Sequence, residues 1–200
     1  MILFSDAVFA IAITLLIIEI KVPDLHSGEG LAKILGEKWH EFFGLLLSFA
    51  VIGQFWTNHH RLFGYVNNYD GGLIWLNLHM LFWIIVMPFS SALSTEYGNN
   101  DGVWMFYCFN MFMIGMAIYF LWRYITNPKR NLSSIANDPL IRKMTRARSL
   151  SIACIFLLGV LLCIPEWEPA SWAARFVFFL IFPAISIIKR MYAQKNSPAY

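Results

Sequence analysis

Hydrophobic residues run along this chain in long uninterrupted blocks separated by short polar stretches. The blocks show no period-two alternation, which argues against the strands of an outer-membrane barrel. A helix needs roughly 20 mostly apolar residues to cross a bilayer. Six segments are predicted to do so: 2–22, 39–59, 72–93, 103–125, 149–164 and 170–188. The pattern thus predicts an all-α, polytopic membrane protein, one domain over 1–200 with six transmembrane helices. Pro88 and Pro183 fall inside the third and sixth segments. Each removes a backbone donor and predicts a kink or local unwinding there. The longest polar stretch, 126–148, reads as a loop able to hold a short amphipathic helix. The first segment does not read as a cleaved signal peptide, because it lacks a basic leading region, carries Asp6 near its start and is too long.

Composition strengthens the membrane reading. Hydrophobic residues make up 58% of the chain, charged residues only 14%, and mean hydropathy is +0.58. Soluble domains hold about 25% charged residues. The net charge of +3 conceals a polarity. Lys129, Arg130, Arg142, Lys143, Arg146 and Arg148 share the loop between segments four and five, and Lys189, Arg190 and Lys195 follow segment six. The positive-inside rule then places the chain in the cell membrane with both termini cytoplasmic. The acids gather on the opposite side, and Glu19 and Asp24 are expected at the outer mouth of any conducting path. An acidic face raises the local cation concentration; ordinary solvated loops would look the same.

Candidate chemistry narrows the function classes. The chain has no P-loop, no dinucleotide-binding glycine pattern, no Gly-x-Ser-x-Gly elbow and no His-Glu-x-x-His helix, so no enzyme is expected. No cofactor and no nucleic-acid partner are expected either. Cys108, Cys154 and Cys163 lie inside predicted spans without metal-ligand spacing and read as packing residues. His59 and His60 are adjacent, so on a helix they diverge by about 100° and do not form a paired metal site. A Thr-Val-Gly-Tyr-Gly filter is absent from the sequence.

The polar residues inside the first three spans carry more information, because ionisable groups at membrane depth are costly. Ser5, Asp6, Trp56, Asn58, His59, Asn77 and His79 fall at a similar depth in the predicted topology. They are expected to form a network joining Asp6, Ser5 and Trp56 with Asn58 or His59 and with Asn77 or His79. Such a network reads first as an inter-helical hydrogen-bond clamp, with a proton relay as the sharper alternative. On a wheel of about 100° per residue with Ile11 at zero, Leu15 falls near 40°, Ile18 near 340°, Thr14 near 300° and Phe4 near 20°. Asp6 falls near 220° and Ile13 near 200° on the same wheel. One face is therefore an apolar stripe with one hydroxyl, and Asp6 lies off it. Taken alone, such a stripe is lipid-facing, packed, or pore-lining.

The stretch Phe4-Ser5-Asp6-Ala7-Val8-Phe9-Ala10-Ile11-Ala12-Ile13-Thr14-Leu15-Leu16 closely resembles the first-helix signature of the transmembrane protein 175 family, endolysosomal potassium channels with a prokaryotic branch. Trp56-x-x-His59-His60 resembles that family's second helix. Six spans with a single copy of the motif resemble the prokaryotic branch. The resemblance implies a potassium-permeable homotetramer embedded in lipid, with permeant monovalent cations as ligands. It implies that the first helix of each subunit lines the pore, with Ile11 at the constriction and Thr14, Leu15 and Ile18 in further rings. Phe4, Ser5 and Asp6 would anchor that helix. The family's Arg four residues before the motif Phe corresponds to a position preceding Met1. The alternative is a proton channel or proton-coupled transporter using Asp6 and the histidines of helices two and three.

Overall fold

The computed structural model describes residues 1–21, 33, 36, 38–165 and 167–194. Asp24, expected at the outer mouth, and Lys195 of the basic tail lie outside the described residues. The described residues form helices and no strand. We number them α1 (Ile2–Ile18), α2 (Trp39–Phe63), α3 (Gly71–Glu96), α4 (Asp101–Ile125), α5 (Pro139–Cys163), α6 (Glu168–Ala174) and α7 (Ile181–Gln194). Single 3₁₀ turns occupy Pro128–Arg130, Ser134–Asn137 and Val177–Leu180.

Three helices, α3, α4 and α5, are long and apolar enough to cross a membrane, and the bent unit of α6 and α7 makes a fourth. Helix α1 is apolar but shorter, at 17 residues. Helix α2 has 25 residues, its C-terminal half diluted by Gln54, Asn58, His59 and His60.

Local chemistry sets the helix boundaries. Asp70 caps α3 by accepting from the Leu73 N–H at 2.8 Å. Asn100 caps α4 through Val103 at 3.2 Å. Asp138 caps α5 through Leu140 and Ile141, with Pro139 in the first turn, where its missing N–H would be unpaired anyway. That cap is why α5 starts ten residues before the predicted span: the basic segment 139–148 is helical and continuous with it.

The sixth segment also departs from a simple span. It is broken between α6 and α7, whose axes differ by 51°. Pro183 sits in the first turn of α7 and Arg175 lies just past the end of α6. Arg175 donates to the Gly98 carbonyl at 3.0 Å and lies 3.4 Å from Asp101, which also accepts from Ser171 at 2.6 Å. These contacts tie α6 to the start of α4.

Packing follows the small residues. A Cβ added at Gly115 would meet the Ala153 Cα at 3.1 Å, so α4 and α5 approach backbone to backbone. At Pro88 the buried Asn110 side chain of α4 repairs the ladder of α3. With its amide turned to meet complementary partners, it donates to the Trp83 carbonyl at 3.0 Å and accepts from the Met87 N–H at 3.3 Å. Ser48 of α2 and Ser91 of α3 exchange a hydroxyl hydrogen bond nearby.

Asp6 meets Trp56 near the end of α2, Ser5 meets Asn77 near the start of α3, and Glu19 lines a cavity with Glu41 and Glu96, so α1 runs antiparallel to α2 and alongside α3. One end of the bundle gathers Ser5, Asp6, the end of α2, the start of α3 and Arg130. The other gathers Glu19, Glu41, Glu96, Asp101 and Arg175.

At the first end, Asp70 also accepts from the Tyr124 hydroxyl at 2.9 Å and lies 3.3 Å from the Arg130 guanidinium, which stacks 3.8 Å from the Tyr124 ring centroid. The site is tight: a Cβ at Gly72 would overlap the Tyr124 hydroxyl. Burial pushes the Asp70 carboxyl up, but Leu73, Tyr124 and Arg130 together outweigh it and hold the carboxyl below its usual range. A depressed folded-state value means stability that is complete above the unfolded carboxylate value of about 3.9 and is lost as pH falls through the folded one. Asp70→Asn keeps a capping residue but removes the charge. Its thermal melt in detergent should fall below wild type at pH 7, and the gap should close as the pH is lowered below about 4.

Candidate functional site

Helix α1 presents two different faces. Ser5, Phe9, Ala12 and Leu16 are buried against α2 and α3. Ile11, Leu15 and Ile18 are 58%, 38% and 70% exposed, and Phe4 and Thr14 are exposed beside them. Ile13 is half-buried and packs against the core. The exposed arc contains the whole sequence-derived stripe. The Thr14 hydroxyl donates to the Ile11 carbonyl at 2.9 Å, so its oxygen lone pairs stay free on that face.

The buried face is held by a chain of polar contacts spanning three helices. The Asn77 amide donates to the Ser5 hydroxyl at 2.9 Å, and its carbonyl lies 2.8 Å from His59 Nε2. Ser5 in turn donates to the Met1 carbonyl at 3.2 Å. Ser5, Asn77 and His59 are each at most 1% exposed. His59 Nδ1 has no hydrogen-bond partner among the described residues, and the ring packs between Phe9 and Phe63. Burial with few alternatives makes this chain costly to break.

Asp6 takes part in a second, outer contact. It accepts from the Trp56 indole N–H at 2.8 Å and lies 4.0 Å from His60 Nδ1. The Trp56 and His60 rings pack 5.4 Å apart. Of the alternatives left open by the sequence, His59 and Asn77 join Ser5. His79 instead meets Trp83 at 3.3 Å, and Asn58 faces α4 and α5 beside Gly115 and Ser149. His60 was not among the expected network residues; its place one step beyond Trp56-x-x-His59 was the signal. Asn110 was likewise overlooked, although a lone amide deep inside an apolar segment is the pattern that Asn77 also shows.

At the opposite end, α1, α2 and α3 surround a cavity of about 420 Å³ lined in part by Glu19, Lys21, Glu41, Thr95 and Glu96. Lys38 and Glu41 form an ion pair at 2.6 Å there. Among the described residues, no group of three His, Cys, Asp or Glu side chains is arranged to hold a metal ion.

Comparison with known proteins gives this geometry a context. The family described as endosomal/lysosomal potassium channel TMEM175 matches residues 1–88, which cover α1, α2 and most of α3. A protein of Streptomyces collinus named as a potassium channel is 41% identical over 149 residues, 72% of each chain. The endosomal/lysosomal proton channel TMEM175 of Gallus gallus is 36% identical over 106 residues, 49% of this chain and 21% of that one. The crystal structure of a lysosomal potassium-selective channel TMEM175 homolog from Chamaesiphon minutus superposes with a TM-score of 0.69 at 26% identity, covering 98% of this chain and 96% of that one. The motif helix, its partner helices and the extent of the Streptomyces match lead to one assignment: this chain belongs to the TMEM175 family.

Proposed function

We propose that this chain is the subunit of a homotetrameric, potassium-permeable channel in which α1 of each subunit lines the central path. The observation that carries the reading is the division of α1 into a locked polar face and an exposed stripe of Ile11, Thr14, Leu15 and Ile18. One six-helix subunit with one motif helix does not enclose a path alone; four around a cyclic axis do. Ile11 forms the constriction, and a ring of four apolar side chains gates by dewetting when narrow. Thr14, one turn on, offers hydroxyl oxygens to a partly dehydrated cation. Glu19 stands just beyond Ile18, at the acidic outer mouth. The α6–α7 unit and α2 complete six spans in a lipid bilayer, with the basic end cytoplasmic.

A second reading has its own support. The Gallus gallus relative is named a proton channel, and buried His59 has a ring nitrogen with no hydrogen-bond partner among the described residues. Purified protein in vesicles separates the two. Cross-linking should give a tetramer, and a potassium gradient should drive potassium flux. Flux of protons alone would favour the second reading, and potassium flux from a monomer would contradict the first.

A further inference from the structure

Gln54 lies on the exposed side of α2, roughly 13 Å along the helix from its end at Phe63. Its amide makes no hydrogen bond among the described residues. Lipid cannot satisfy an amide at that depth, so the position calls for a second protein surface. The same arc of α2 is shaped for close approach. Ala50 and Thr57 are exposed beside Gln54, and a Cβ added at Gly53 would meet nothing within 4 Å. Small residues in such a row let another membrane helix come near. Thr57 donates its hydroxyl proton to the Gly53 carbonyl at 2.8 Å, so its oxygen stays free to accept.

Helix α3 carries a complementary face. Phe82, Ile85 and Phe89 are each more than half exposed, and His79 is exposed beside them. Trp83 Nε1 donates to His79 Nε2 at 3.3 Å. The neutral ring then carries its proton on Nδ1, a donor with no partner among the described residues.

Two contacts fix the register of α2 against α3 within one subunit. Ser48 meets Ser91, and His59 lies 2.8 Å from Asn77. Between these points Ala50 stands level with Phe89, Gly53 with Ile85 and Thr57 with His79. Rotation about an axis along the membrane normal preserves depth, so the same levels hold between neighbouring subunits. On the wheel of α1, α3 joins through Ser5 near 120° and α2 through Asp6 near 220°, on either side of the direction opposite the stripe. With the stripe on the axis, α2 of one subunit looks towards α3 of the next. Bulky side chains then meet small ones level by level, and a ring N–H meets two side-chain oxygens.

We infer that the Ala50–Gly53–Gln54–Thr57 face of α2 docks against the Phe82–Ile85–Phe89 face of α3 in a second copy of this chain, where the partner subunit's His79 is the donor for the oxygens of Gln54 and Thr57. The inference rests on the tetramer proposed above and adds to it which faces meet.

The test uses the full chain in mild detergent, with exposed Cys154 changed to Ser and the two buried cysteines left in place. Oxidation with copper phenanthroline should join Gly53→Cys, Ile85→Cys double variants into covalent dimers and higher multiples on a denaturing gel. Gly53→Cys paired with Leu158→Cys, an exposed position on α5, should give none. Gln54→Leu and His79→Leu should each shift the balance of tetramer and monomer about ten-fold towards monomer, and the double variant should shift it no further. Gln54 is exposed in the single subunit, so its variant keeps the monomer's melting temperature. A wild-type tetramer without Gly53–Ile85 cross-links would overturn this inference alone, as would undiminished assembly of Gln54→Leu. A wild-type monomer would overturn the tetramer as well.

Discussion

Ile11→Asn is expected to enlarge the current through the assembled channel and to weaken its discrimination of potassium from sodium. The substitution keeps a similar bulk and replaces an apolar branch with an amide. In a tetramer it does so four times around one ring. An apolar constriction resists wetting, and a polar ring hydrates more readily, so ions pass with more of their water and are distinguished less. Ile11 is suited to this role because its side chain is exposed on the single subunit, and its loss removes little packing. Single-channel recordings in symmetric potassium should show a conductance several-fold above wild type. Unchanged conductance in a variant that still forms tetramers would remove Ile11 from the constriction.

The second large effect concerns the anchor. Asn77→Leu should destabilise the protein by about 2–4 kcal/mol, since an orphaned buried polar group costs about 1–3 kcal/mol: His59 loses its hydrogen bond, and Ser5 keeps only its bond to the Met1 carbonyl. Asn77 alone connects Ser5 to His59, and without it the His59 ring has no hydrogen bond at either nitrogen among the described residues. Asp6→Ala should cost less, below about 1.5 kcal/mol, because Trp56 is 39% exposed and water can replace the lost acceptor. Neither change touches the stripe, so selectivity should be unaffected in whatever tetramer still forms. Melting curves of the two variants beside wild type check the order. A larger loss from Asp6→Ala would shift the main lock from Ser5–Asn77–His59 to Asp6–Trp56.

Much of this arrangement was legible before any coordinates. Long apolar blocks predicted helices, and the wheel separated the stripe of Ile11, Leu15 and Ile18 from Asp6. Other features were hidden for identifiable reasons. A helical wheel gives the phase of α1 but not its neighbours, so Asp6 looked like the centre of the anchor. The buried arc is instead centred on Ser5, Phe9, Ala12 and Leu16, and Asp6 lies on its flank. Polar periodicity likewise offered Asn58 beside His59 and His79 beside Asn77. Only the crossing of α2 over α3 distinguishes which side chains meet.

The basic run 139–148 fell in a stretch read as a loop able to hold a short amphipathic helix, and not as part of the fifth span, because charge is not expected in a span. The Asp138-Pro139 pair, a cap followed by proline in the first turn, was the local signal that a helix begins there. The break in the last segment had two signals, Arg175 and Pro183. An isolated arginine in an apolar stretch marks a place where the chain meets a carboxylate, and Asp101 is that carboxylate.

The orientation of α1 about its own axis is the point on which the channel reading depends. It is tested most directly by the bi-ionic reversal potential, potassium on one side and sodium on the other, for wild type, Ile11→Asn and Ile13→Asn. Ile13 is half-buried and packs against the core, so its variant should assemble less well yet conduct with the wild-type reversal potential. A pore lined by the Ile11 stripe requires a shift towards zero in Ile11→Asn alone. A shift in Ile13→Asn with none in Ile11→Asn would contradict it and make the stripe a packing face.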